Sequence, residues 1–296
     1  VIPIVGGRTD LVVANSEVLG RINWNSSLAA TPGRRVRIAV LDTGLSQAQS
    51  YLWSKVDASY NLVELGQPAF DQTNNTDSNG NGVADEGVGH GTMVAGVLDV
   101  VAPEARLVIV RVADSDGLSN SWRLLRGLVL AAQSGAEVAN VSLATLETVP
   151  GLSDVVDWCE EKNMVVVGAI GNNGENAAGM PGGLKNAICV GGLNLDATKT
   201  SFSNWATTCD VSAPAFSIHS QWWDGRLATW SGTSFAAPLV SATIADSLRR
   251  TTAVGPKAIR KALRKSVANI NALNYDYRNQ LGGLLDVAAF DRELRN

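Results

Sequence analysis

Three short blocks of this 296-residue chain each set a chemically capable side chain beside glycine: VLDTG at 40 to 44, HGTMVAG at 90 to 96 and GTSFAAP at 232 to 238. A serine hydroxyl is a weak nucleophile until a base removes its proton. A neutral imidazole can take that proton and later hand it to a leaving group. A carboxylate bonded to the far ring nitrogen fixes the tautomer and stabilises the imidazolium. Asp42, His90 and Ser234 are therefore the parts of a nucleophilic hydrolysis site, and His90 is one of only two histidines. Taken singly each has a plainer reading: an Asp that caps a turn, a His that ends a helix, a Ser that caps one.

Elements that could position these groups are legible in the pattern. Short Val- and Ile-rich runs at 36–41, 107–112, 138–143, 164–169 and 187–192 read as buried parallel strands. Helical patterning at 91–101, 121–133 and 152–162 alternates with them. Longer helices are expected at 235–250 and 256–267, after a hairpin at 221–230 turning on Asp224-Gly225. The fold class is α/β, a doubly wound and mostly parallel sheet with helices on both faces. Asp42 follows its strand directly, so its carboxylate emerges at the carboxyl end of the sheet, where such folds keep their sites. Met93, Val94, Val97 and Leu98 give the next helix a core face and leave His90 at its exposed start. Ser234 opens another helix, whose free N–H groups suit a developing oxyanion. With no internal repeat and no linker, one domain over 1–296 is expected.

In order and wording the three blocks resemble the subtilisin-like serine proteases, the subtilases. The likeness runs from about residue 36 to the GGLLDVAAF segment at 282–290, and is weakest over the first 30 residues and the 71–85 loop. It implies a three-layer fold and a serine endopeptidase that cleaves peptide bonds with Asp42, His90 and Ser234. The VVVGAIGNNG segment resembles the family's asparagine block, making Asn172 the side-chain donor to the oxyanion beside the Ser234 N–H. By the same resemblance Ser142, Leu143 and Ala144 form one substrate rail, and Gly117, Leu118 and Ser119 the other. Ala169, Gly171 and the 179–182 stretch line the P1 pocket. None of these carries a charge, so apolar P1 residues are expected. The chain departs from many members at Ala144 and Thr145, where glycines are frequent, at Asn173 in place of glutamate, and at Met93 in place of a second histidine. An α/β-hydrolase would need Ser before Asp before His and glycine where Ala236 stands. An acid-acting relative would replace the histidine, and a silent binding module would have lost a triad member.

Composition narrows the partners. Twenty-four basic against 28 acidic residues, net charge −4, leave no footprint for a phosphate backbone, so nucleic acid is not expected. No apolar run reaches the ~20 residues of a membrane span. The chain opens on Val1, with a VIPIV run too short for a signal's apolar region. A processed form is expected, with an inhibitory pro-segment removed, acting as a monomer on protein or peptide substrates. Secretion or a cell-envelope location is implied by the family alone. Cys159, Cys189 and Cys209 match no zinc pattern. Cys189 and Cys209, each placed in a strand of one sheet, are open either to pairing or to remaining buried thiols. The polar loop DSNGNGVAD places Asp77, Asn79 and Asn81 at the first, third and fifth positions of a calcium loop, with the Val83 carbonyl and Asp85 to follow. The closing glutamate is missing, since Val88 holds that position, so a variant structural calcium site is expected.

Overall fold

The computed structural model describes residues 8–26, 31–251 and 254–296; the VIPIV run lies outside them. Seven parallel strands form the central sheet in the order β2-β3-β1-β4-β5-β6-β7. They are β1 (Arg37–Asp42), β2 (Val56–Asn61), β3 (Arg106–Arg111), β4 (Val138–Val141), β5 (Val165–Ala169), β6 (Ala187–Leu193) and β7 (Val211–Pro214). A separate antiparallel pair, β8 (Ile218–Gln221) and β9 (Leu227–Trp230), makes the expected hairpin. Alternate residues of each strand enter two cores. Ile38, Val40, Leu107 and Ile109 pack on one side of the sheet, and Ala39, Leu41, Val108 and Val110 on the other. Both faces of the inner strands are dry, so these read as unbroken apolar runs rather than as alternation.

The helices His90–Val101 and Thr233–Leu248 pack into the first core, and Ser121–Gln133 and Leu152–Glu161 into the second. This is the expected three-layer α/β fold. Strand order reverses about β1, which lies between β3 and β4. Asp42, its last residue, thus stands at the switch point where the carboxyl ends of neighbouring strands splay apart and leave a crevice.

Two expectations change. The His90 helix has no exposed face: Gly91 through Val101 are all buried, because the hairpin and the Thr233–Leu248 helix cover what the sheet does not. Cys189 lies in β6, but Cys209 falls two residues short of β7. All three cysteines are buried free thiols, and burial pushes the Cys159 pKa up to about 12.

Candidate active site

Asp42 is fully buried, and its Oδ1 accepts the Thr43 N–H at 2.8 Å. The same oxygen lies 2.7 Å from His90 Nδ1, the separation of a charge-assisted hydrogen bond with the ring N–H as donor. The backbone explains how two residues 48 apart meet. Gly89 starts the helix in the left-handed region at φ 92°, and a Cβ there would fall 2.6 Å from the Trp222 ring. A Cβ on Gly91 would fall 2.4 Å from the Gly44 carbonyl oxygen, so the helix start seats directly on the turn after β1. Thr43 Oγ1 closes the seat by accepting the Gly91 N–H at 2.9 Å.

The imidazole is not at an exposed end as expected; its side chain is 16 % exposed. Trp230 meets it edge-on at 5.9 Å between centroids and Phe235 lies at 5.4 Å. Burial opposes the charged ring, but the charge and hydrogen bond of Asp42, with a further contribution from Asp71, outweigh it and raise the His90 pKa above its ordinary 6.5.

Ser234 is the second residue of a helix buried all round, so its N–H belongs to the first turn and lacks an intrahelical partner. Its hydroxyl donates to the Ser142 carbonyl at 2.9 Å, and the Ser142 hydroxyl donates back to the Ser234 carbonyl at 2.7 Å. Asn140 continues this chain inside the sheet: its Nδ2 donates to Ser142 Oγ at 2.9 Å and its Oδ1 accepts from Ser241 Oγ at 2.8 Å. Acid and imidazole are thus bonded directly. The hydroxyl stands in the same cavity with its proton directed at Ser142.

That cavity, about 410 Å³, is lined by His90, Ser234 and Asn172 together with Gly117, Ser142, Leu143, Ala144, Ala169 and Gly171. Leu118 and Ser119 line an adjoining groove that shares Gly117, Leu143 and Ala144. Asn172 Oδ1 accepts the Thr233 N–H at 2.9 Å and the Thr233 hydroxyl at 3.0 Å, which leaves the Nδ2 end of the amide for the cavity. Glu86 and Asp116, outside the segments named from sequence, also line the cleft and bring charge to it. Glu86 lies ahead of the His90 helix and Asp116 directly before the Gly117 to Ser119 rail, on loops that no periodicity joins. Thr233 and Trp230 line the cavity too, and the position of Thr233 inside a recognised block signals its part.

The five residues expected to hold calcium lie on one loop, where Asn79 and Asn81 both donate their side-chain amides to Glu86. Asp77 accepts the N–H groups of Gly80, Asn81 and Gly82, and Asp85 those of Asn74 and Asn75. Asn79 Oδ1 accepts the Asn81 N–H and Asn81 Oδ1 the Val83 N–H. The oxygens a cation would need are directed at backbone donors, and among the described residues no three His, Cys, Asp or Glu side chains form a metal-holding group.

The description "Subtilase family" matches residues 33–283, and the chain belongs to that family. It is a serine endopeptidase, a hydrolase. It is 33 % identical over 219 residues to thermitase of Thermoactinomyces vulgaris, covering 71 % of this chain and 73 % of that protein. It is 35 % identical over 204 residues to a thermophilic serine proteinase of Bacillus sp. (strain AK1), covering 69 % of this chain and 50 % of the other. An intracellular serine protease of Paenibacillus polymyxa is 31 % identical over 238 residues, 75 % of this chain and 68 % of that one. Among solved structures, a protease from Pseudoalteromonas arctica superposes with TM-score 0.83 at 22 % identity, covering 92 % of this chain and 94 % of its own. A lanthipeptide protease does so with TM-score 0.80 at 19 % identity over 99 % of each chain. At those identities the two structures speak for the fold alone.

Proposed function

We propose that Asp42, His90 and Ser234 form the catalytic triad, with the Asn172 amide and the Ser234 N–H as the oxyanion hole. The observation that carries this is the 2.7 Å contact of His90 Nδ1 with Asp42 Oδ1, beside a serine in the same cavity. A turn about the Ser234 Cα–Cβ bond takes its hydroxyl from the Ser142 carbonyl toward the free ring nitrogen. There His90 accepts the proton as Oγ attacks the peptide carbonyl, and returns it to the leaving amine. The oxyanion that forms takes hydrogen bonds from Asn172 Nδ2 and the Ser234 N–H. An apolar P1 side chain is favoured, since Leu143, Ala144, Ala169 and Gly171 line the wall beside Ser234.

Two measurements test the reading. Ser234→Ala abolishes peptide-amide hydrolysis, and a sulfonyl fluoride labels Ser234 in the native protein. Absence of labelling in a folded chain would point instead to a binding module on this fold.

We further propose a single catalytic domain acting as a monomer on protein or peptide substrates, after loss of an inhibitory pro-segment. Among the described residues no helix is long and apolar enough to cross a membrane. Secretion or a cell-envelope location is a family-borne proposal, decided by fractionating the producing cells. A structural calcium ion on the 77–85 loop is part of the proposal: a chelator then lowers the melting temperature, and an unchanged melting temperature ends the idea.

A further inference from the structure

The loop ahead of the His90 helix buries a carboxylate that the triad does not include. Asp71 is 3 % exposed, and its side-chain partners are all donors. Oδ1 accepts the Gly89 N–H at 2.9 Å, while Oδ2 accepts the Thr92 N–H at 3.1 Å and the Thr92 hydroxyl at 2.6 Å. Gly89 precedes His90 and Thr92 follows it by two, so the two oxygens grip the turn that carries the imidazole. Thr92 Oγ1 in turn accepts the Ser46 N–H at 3.0 Å, and the Asp71 N–H donates to the Leu45 carbonyl at 3.2 Å. The grip is anchored to the segment that follows β1 and Asp42.

Three accepted bonds describe an ionised carboxylate, although burial pushes the Asp71 pKa up. The helix has glycine at its N-cap and no side-chain cap of its own. Asp71 satisfies its first N–H groups from a distance of 18 residues and more. It also sets a second negative charge near the ring. His90 is faced by Asp42 from β1, by Asp71 from the loop, by Ser234 and Phe235 from the Thr233–Leu248 helix, and by Trp230 from β9. Glu86 and Asp116 line the same cavity. Asp42 and Asp71 are the two whose charge favours the imidazolium.

We propose that Asp71 is a positioning residue of the hydrolytic site, holding the His90 turn against Asp42 and supporting the imidazolium formed during attack. Its kinetic consequences rest on the triad reading above; its effect on His90 does not. The decisive measurement is the titration of the two histidines by NMR in Ser234→Ala protein, where neither turnover nor autolysis intervenes.

Asp71→Asn keeps an acceptor oxygen and removes the charge. The His90 titration then moves to lower pH. In the active enzyme the acid limb of kcat/KM moves down with it, and kcat falls roughly tenfold or more as the ring loses its fixed placement. Asp71→Glu keeps the charge but not the reach, so it lowers kcat while holding the titration up. Should the Asn variant lose its near-UV dichroism, Asp71→Ser is the smaller neutral replacement for the same titration. An unmoved His90 titration in a folded neutral variant overturns the proposal and leaves Asp71 a helix cap only. Failure of the protease reading looks different: the protein with Ser234 intact hydrolyses no peptide, yet the NMR shift persists.

Discussion

The groups that would hold the oxyanion are set by a side chain outside the triad. Thr233 uses its N–H and its hydroxyl on one oxygen of Asn172, which leaves the amide hydrogens of that residue for the cleft. Because the donor acts on charge that develops only in the transition state, Asn172→Ala is expected to lower kcat about 100- to 1,000-fold with KM nearly unchanged. Thr233→Val keeps the backbone bond and lets the amide swing, so steady-state kinetics should show a smaller loss of kcat, roughly tenfold, again with little change in KM. In the proposed triad His90 sets the pH dependence. Only the neutral ring can accept the serine proton, and Asp42 and Asp71 raise its pKa above 6.5 against the opposing effect of burial. The kcat/KM profile therefore falls as pH drops through that raised value, with the midpoint of its acid limb above 6.5. A midpoint below 6.5 would remove His90 from the role of base.

At the scale of elements, the site depends on how closely the His90 helix seats on the turn after β1. Gly91→Ala puts a methyl 2.4 Å from the Gly44 carbonyl oxygen and 3.1 Å from the Asp42 Cβ, so the helix start must back away from the acid. The expected outcome is a loss of about 1–3 kcal/mol in denaturant unfolding and roughly 100-fold in kcat. A variant with wild-type activity would show the seat to be compliant. This dependence also explains what could be read in advance. Strands β1, β3, β4, β5 and β6 announce themselves because burial on both faces demands an apolar run. β2 does not: on the sheet edge its residues VDASYN alternate between exposed and partly buried before Asn61, and carry few apolar side chains. The three glycine-flanked blocks named the acid, imidazole and hydroxyl because tight backbone approach leaves a local mark. Asp71, Glu86 and Asp116 come from polar loops, where an acid that caps a distant helix has the same sequence appearance as one facing solvent. The Asn- and Asp-rich loop is ambiguous for the same reason, since side chains that could bind a cation also satisfy turn N–H groups.

Across the whole molecule, two titrating sites at opposite ends of the parallel sheet contribute to the pH dependence of stability in opposite senses. At the amino ends of the strands Asp57 lies between Arg37 and Arg106, each 2.8 Å away. Burial alone would raise its pKa, but the hydrogen bonds from Arg106 and Arg37 lower it below the ordinary 3.8. Stability from that cluster is present above 3.8 and is lost as pH falls through the lowered value. At the carboxyl ends His90 behaves in the opposite sense. Its folded pKa is raised, so its stabilising contribution is complete below 6.5 and disappears as pH rises through the raised value. The proton whose loss makes His90 a base is the one whose presence stabilises its pairing with buried Asp42, so activity and stability run in opposite directions on the alkaline side. Urea unfolding in a Ser234→Ala background, free of autolysis, should show free energy declining from pH 6 to pH 9. Adding His90→Gln should flatten that segment and leave the acid side, to which Asp57 contributes, unchanged. Equal slopes in the two proteins would assign the alkaline decline to groups other than the pair.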